Sequence, residues 1–265
     1  MGVVRWRFVL TWLVIAGFLP ALVAVLRWDW RIALAGLAAI VFLAVLDYRA
    51  YAARTNAFAV WAWAVTCYLR ATRVPLAQLA VDTRAFRALA AGSKRYLPPE
   101  DIPPREGERP EMVYGLPHRQ LNQHPDPQMR ERFKQRLADQ RDFKDLGRRE
   151  IKFTPSIWEL TGAEALIVQG CTAATCSCAL NRAKGEFAHL HSHDGSMHMM
   201  LAPADVVTVI EKRWGDLFAV SGGLWGRVPQ VVLVYAPRTG EEEEIVSRVL
   251  RASYNFATAA HPEAA

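Results

Sequence analysis

Hydrophobic positions crowd into the first seventy residues of this chain and become periodic only beyond them. Phe8 to Leu26 reads "FVLTWLVIAGFLPALVAVL", nineteen residues without a charge, and Ile32 to Leu46 adds fifteen more. A helix crossing the hydrocarbon of a bilayer needs about 20 largely apolar residues. The first run meets that length. The second meets it with Trp28, Trp30 and Tyr48 at the interfaces and Arg31 snorkelling to water. No small-residue cleavage site follows the first run, so an anchor fits better than a cleaved leader. The pattern predicts two helices, about 8–26 and 32–48, joined as a transmembrane hairpin. A third run, "NAFAVWAWAVTCYL" (56–69), is too short to span and predicts an interfacial helix at about 56–70.

Past this region the periodicity shortens and lengthens in turn. The stretch 93–117 holds six prolines, which exclude a regular helix and discourage central strands. Residues 126–147 then predict a helix, with Asp126 as N-cap, Pro127 in the first turn, Gly147 past the end, and Met129, Phe133 and Leu137 as an apolar stripe. "IKFTPSIWEL" from 151, "ALIVQG" from 165 and "QVVLVYAPR" from 230 predict strands. Two more helices are expected, at 203–215 and after Thr239, where Thr239 and Glu242 have capping-box spacing and Glu241 to Glu244 suit the positive end of the helix dipole. The expected fold is α+β: an N-terminal transmembrane helical hairpin followed by a small mixed β-sheet domain with flanking helices. Its divisions are a membrane anchor at 1–75, a proline-rich linker or wrapping segment at 76–125, an α+β domain at 126–258 and a tail at 259–265.

Charge changes this picture little. The net charge is +6, but much of the excess is arginine beside the apolar runs, as expected of a chain resting on an anionic leaflet, and no nucleic-acid motif accompanies it. Arg49, Arg54, Arg70 and Arg73 after the second run favour a cytoplasmic C-terminal domain. Of the four cysteines, Cys171, Cys176 and Cys178 cluster with no common zinc spacing; in a cytoplasmic domain they are expected as packed or loop thiols.

Candidate chemistry concentrates in "EFAHLHSHDGSMHMML" (186–201), which holds four of the seven histidines. Asp194-Gly195 predicts a two-residue type I′ hairpin. That register pairs His193 with Ser196 and His191 with His198, so His189, His191, His193 and His198 share one face while Leu190, Met197, Met199 and Leu201 turn to the core. Four adjacent cations would repel, so some rings should be neutral near pH 7, the form that acts as a base or a ligand. Two chemistries fit. One is metal-free general base catalysis on an acidic hydroxyl. The other is a divalent transition-metal site on His189, His191 and His198.

"EFAHLH…HDGSMH", "VIEKRWG" (209–215) and "VYAPRTGEEEE" (234–244), with "PPREGERP" (103–110) upstream, resemble in order the blocks of the fungal luciferase family, over about residues 97–256. The resemblance implies an oxygenation. A 3-hydroxylated styryl-pyrone reacts with O2, passes through a cyclic peroxide, loses CO2 and leaves an excited product, with no organic cofactor. It carries His189, His191, His193 and His198 over as catalytic candidates and Asp194, Tyr235 and Arg238 as substrate-binding candidates; Trp214, Gly215 and Pro237 also match. One departure stands out: the family has His-Pro after the Trp-Gly, where this chain has Phe218-Ala219. The expectation is a membrane-anchored oxygenase taking O2 and a small enolic or phenolic molecule, with membrane lipid as its other partner and no nucleic acid. A His-ligated metal-dependent oxygenase or hydrolase, and a non-catalytic small-molecule-binding membrane protein, are the alternatives.

Overall fold

The computed structural model describes residues 30–259, apart from 57, 144–148, 160–161, 173–175 and 219–230. The chain divides into two compact units, residues 1–74 and 75–265.

In the first unit, helix α1 (Trp30–Thr55) is 26 residues long with a mean hydropathy of 2.0, long and apolar enough to cross a membrane. Leu34, Leu37, Val41, Phe42 and Val45 are exposed along it. Helix α2 (Val60–Ala71) folds back on its C-terminal end. Trp63 Nε1 donates to Asp47 Oδ2 at 2.8 Å, the Tyr48 hydroxyl donates to the Phe58 carbonyl at 2.6 Å, and the Tyr48 and Trp63 rings meet edge to face. The second predicted span therefore extends to Thr55 and is paired with the third run. The first predicted helix, 8–26, lies outside the described residues, so the predicted hairpin is not part of the described structure.

The second unit begins with helices α3 (Leu76–Leu79) and α4 (Arg84–Ala90) and a two-stranded ribbon, β1 (Met112–Val113) and β2 (Arg119–Gln120). Helix α5 (Pro127–Ala138) starts where the sequence predicts, with the Asp126 side chain accepting from the Gln128 and Met129 amides. It stops at Ala138, eight residues short of the predicted end. Gln140 turns to positive φ, its Nε2 donates to the Ile151 carbonyl, and Arg136 pairs with Asp142 as the chain folds back. The remaining elements are β3 (Ile151–Pro155), β4 (Glu164–Val168), helix α6 (Cys178–Arg182), β5 (Glu186–Leu190), β6 (Met197–Met200), helix α7 (Pro203–Glu211), β7 (Gly215–Leu217), β8 (Val231–Val234) and helix α8 (Gly240–Thr258).

Strands β3 to β8 form one sheet in the order β3-β4-β5-β6-β8-β7, and every pairing in it is antiparallel. A mixed sheet was expected. Strands β3 to β6 each pair with the next in sequence, which gives the antiparallel run, and β8 then inserts between β6 and β7, which follow each other through α7.

One sheet face buries the core. Ala188, Leu190, Met197, Met199, Val232 and Val234 pack against Val246, Val249, Leu250 and Tyr254 of α8. Phe187 closes a ring cluster with Phe143 and Tyr254. Thr239 caps α8 by accepting from the Glu242 amide.

The opposite face is covered by the proline-rich segment, which belongs to this unit rather than joining two units. Trp214 Nε1 donates to the Pro103 carbonyl at 2.7 Å, the Arg105 amide to the Lys212 carbonyl at 2.8 Å, and Arg109 to Asp216 Oδ1 at 2.8 Å. Prolines leave few backbone donors to satisfy, and side chains and loop carbonyls tie the segment down instead. Cys171 and Cys176 are joined by a disulfide, where free thiols were expected; the two lie on one loop with Cα atoms 5.6 Å apart, inside bridging distance. Cys178 is free and exposed.

Phe187→Ala is expected to cost about 3–5 kcal/mol by emptying a full aromatic site, and Asp126→Ala about 1 kcal/mol by removing one cap. Urea denaturation of the full chain in detergent checks both, and equal losses would contradict this division of the core.

Candidate functional site

The histidine cluster is built by a fault in strand alternation. Strand β5 pairs with β4 so that Leu166 faces Ala188 but Ile167 faces Glu186, leaving Phe187 as an extra residue. Such a bulge re-aims side chains. Phe187 turns into the core, and Glu186 turns to the covered face beside His189. Gly185, at φ +88°, leads into the bulge, and a Cβ there would meet the Val168 carbonyl oxygen at 2.5 Å.

Opposed residues then align in one row across the sheet: Ala165, His189, His198, Leu233 and Asp216. The hairpin register is two residues away from the predicted one, with His189 rather than His191 opposite His198. A slip of two preserves the face, where a slip of one would reverse it. The turn is wider than type I′. Only Gly195 takes positive φ, the Gly195 amide donates to the His191 carbonyl, and the His191 amide donates to the Ser196 carbonyl.

Three of the four predicted catalytic rings meet. His189 and His198 are 5.0 Å apart between centroids, His191 and His198 4.8 Å, and His189 and His191 5.2 Å. His193 does not join them; it is exposed on the widened turn, beside His124, because the register shift places it beyond the strand. Asp194 is fully buried, and its Oδ1 accepts from the Ser196 amide and hydroxyl at 2.8 and 2.6 Å. The Ser196 hydroxyl oxygen in turn lies 2.9 Å from His191 Nδ1, so Asp194 orients His191 through Ser196.

The other two expected substrate-binding residues have protein partners. The Tyr235 hydroxyl accepts from Arg109 at 3.0 Å, and Arg238 holds Glu242 and the Glu106 carbonyl. Burial, with the Asp216 carboxylate beside it, pushes the Tyr235 phenol far above its ordinary value.

Residues that the local pattern did not single out complete the cluster. Glu186 Oε1 lies 2.7 Å from His189 Nδ1, and the same carboxylate accepts from the Ser156 hydroxyl and the Ile157 amide. Arg119, ion-paired to Glu159 at 3.0 Å, places Nη1 3.0 Å from His191 Nε2. His118 is 1% exposed, and its Nδ1 lies 3.5 Å from His198 Nε2. Phe218, at the position where the resemblance puts histidine, stacks on His118 at 5.4 Å and lies 5.1 Å from His198. The departure noted in the sequence therefore falls on the cluster itself; Ala219 lies outside the described residues. His118 and Arg119 come from more than sixty positions upstream, so no spacing within 186–201 could point to them.

Electrostatics favours neutral rings. Burial, then the Arg119 charge, pushes His118 down to about 3. Burial and the same guanidinium hold His191 well below the ordinary imidazole value, and burial with the neighbouring rings does so for His198. A guanidinium only donates, so the Arg119 contact makes His191 Nε2 an acceptor and places its proton on Nδ1, toward Ser196.

Residues 184–253 match the Luciferase domain family. A luciferase of Armillaria gallica is 31% identical over 174 residues, spanning 62% of this chain and 64% of that protein. The luciferase of Armillaria mellea is 30% identical over the same coverage, and that of Neonothopanus nambi 36% identical over 81 residues, 30% of each chain. The chain thus spans just under two thirds of the length of the Armillaria relatives. No solved structure gives a significant match.

An unfolded imidazole takes up a proton near pH 6.5, while these buried rings resist it to lower pH. The unfolded chain then binds more protons, so stability should fall as pH drops below about 6.5, by up to ~1.4 kcal/mol per pH unit for each ring. For His118 that loss runs down to about pH 3. Asp205, raised to about 6 by burial, acts in the opposite sense. The difference between wild type and His118→Phe therefore carries the test: in denaturation at a series of pH values, the variant should show the shallower acid loss. Equal slopes would contradict a buried neutral His118.

Proposed function

We propose that this chain is a member of the fungal luciferase family, as the Luciferase-domain match and the Armillaria relatives support, and that it is a membrane-anchored oxygenase acting with O2 on a small enolic or phenolic, hydroxy-pyrone-like molecule. The observation that carries this reading is the packing of three imidazoles, His189, His191 and His198, on one covered sheet face, with His189 and His198 hydrogen-bonded to each other. A neutral imidazole takes the acidic hydroxyl proton of the substrate. The resulting enolate is electron-rich enough to give one electron to O2, and the two radicals combine to form the new carbon–oxygen bond. General base catalysis of such a step contributes about 10²–10⁴-fold. His189 and His198 are the ring pair assigned to proton transfer; His191, held between Arg119 and Ser196, presents the guanidinium charge to the anion. His193, Tyr235 and Arg238 are not assigned a direct role, given their positions. Helix α1 supplies the anchor. The arginines that follow it favour a cytoplasmic catalytic unit, while the Cys171–Cys176 bond is of a kind more common in oxidising compartments; the reading takes the cytoplasmic side.

A metal-dependent reaction is the second reading. It is favoured by ligand atoms of His189, His191 and His198 that all lie within 4.8 Å of one another. The fit is poor at His191, whose Nε2 faces the Arg119 guanidinium and whose Nδ1 faces Ser196. A divalent ion there would meet a fixed positive charge, so the metal-free reading is preferred.

With a panel of hydroxy-pyrones and O2 uptake monitored, His198→Ala and His189→Ala are expected to slow consumption about 100-fold or more. Rates equal to wild type would count against the base. Stoichiometric metal in the purified protein, with activity lost to chelators, would favour the second reading instead.

A further inference from the structure

The hydrogen bonds among the rings have a direction. Glu186, as a carboxylate accepting from Ser156 and Ile157, can only accept from His189 as well, so the His189 proton sits on Nδ1. That leaves His189 Nε2 as the acceptor in its 3.0 Å contact with His198 Nδ1, which must carry the proton. His198 Nε2 is then a lone pair facing His118 Nδ1 at 3.5 Å, the longest link. The chain ends at His118 Nε2, which is fully buried and has no hydrogen-bond partner among the described residues. An unpaired buried acceptor is costly unless a ligand supplies a donor. His191 is not part of this chain, since both its nitrogens are engaged by Arg119 and Ser196.

We propose that His118 is the catalytic base of this site, and that His198 and His189 relay the proton it takes toward Glu186; the proposal rests on the oxygenase reading above. The substrate hydroxyl gives its proton to His118 Nε2. His118 passes its Nδ1 proton to His198 Nε2, and His198 passes its own Nδ1 proton to His189 Nε2. The positive charge comes to rest on His189, 2.7 Å from the Glu186 carboxylate, and the substrate is left as an anion. No electron moves in this step, and the reverse shuttle returns the proton to product. His118 lies outside the Luciferase-domain match at 184–253, so the base is supplied by the wrapping segment and the relay by the domain. Phe218, stacked on the His118 ring, fixes the plane in which Nε2 presents its lone pair.

The first test does not need activity. Long-range ¹⁵N–¹H NMR of the ¹⁵N-labelled full chain in detergent micelles reads which nitrogen of each ring carries the proton. The expected result is the Nδ1–H form at His189, His198 and His118 together. An Nε2–H form at His198 or His118 would overturn the relay. The second test is turnover of a hydroxy-pyrone. His118→Phe keeps an aromatic ring against Phe218 and should lower O2 consumption about 100-fold. His118→Gly should regain activity as free imidazole is added. Unchanged turnover in His118→Phe, or a His118→Gly protein that melts like wild type but gains nothing from imidazole, would remove His118 as the base. A wild-type protein that consumes no O2 with any of the pyrones would remove the oxygenase reading, and the tautomers would still decide the relay.

Discussion

The 2.7 Å contact between the Glu186 carboxylate and His189 Nδ1 exists only because β5 breaks its own alternation. In a regular strand Glu186 would point with Ala188 and Leu190 into the apolar core, where an unpaired carboxylate is prohibitively expensive. The extra residue at Phe187 turns the ring into the core and the carboxylate out of it. A local irregularity thus settles two energetic problems, filling the aromatic cluster under α8 and giving the carboxylate three donors. The proton positions on His189 and, through it, on His198 follow from that acceptor.

The second requirement is a cover. The row Ala165, His189, His198, Leu233 and Asp216 would be an ordinary half-polar sheet face if it met water. The segment from Pro103 to Gln123 lies over it and brings Arg109 to Asp216, Arg119 to His191 and His118 to His198. Desolvation follows from the cover, and neutral imidazoles follow from desolvation. Tyr114, also on this segment, is pushed up to about 12 by its burial and by Asp216, so at neutral pH it remains a donor. The prolines make this possible: they hold the segment extended and reduce the number of amides that need partners.

Much of this was legible in the sequence, for reasons that differ from element to element. Helices α5 and α8 announced their starts through Asp126 and Thr239, because capping is a local interaction. The apolar alternation of Leu190, Met197 and Met199 gave the correct face of the hairpin, since facing depends only on parity. The register differs by two because the Asp194-Gly195 pair predicts a two-residue turn, whereas the turn is wider and Asp194 is buried within it, bonded to Ser196. That same shift removes His193 from the cluster. Strand β7 was missed because three residues, Gly215 to Leu217, are too few to show a period. His118, Arg119 and Glu186 were missed for a different reason: their roles are tertiary, set by a bulge and by a distant wrapping segment, and no spacing rule reaches them.

The arrangement of the cluster depends on the coupling between Glu186 and His189, which a double-mutant cycle measures directly. Glu186→Gln, His189→Gln and the double variant would be compared with wild type by urea denaturation of the full chain near neutral pH. A hydrogen bond to a charged partner predicts a coupling energy of about 1.5–3 kcal/mol. Losses that simply add, within about 0.5 kcal/mol, would mean that the carboxylate does not hold the ring, and the arrangement of the cluster would have to rest on something else.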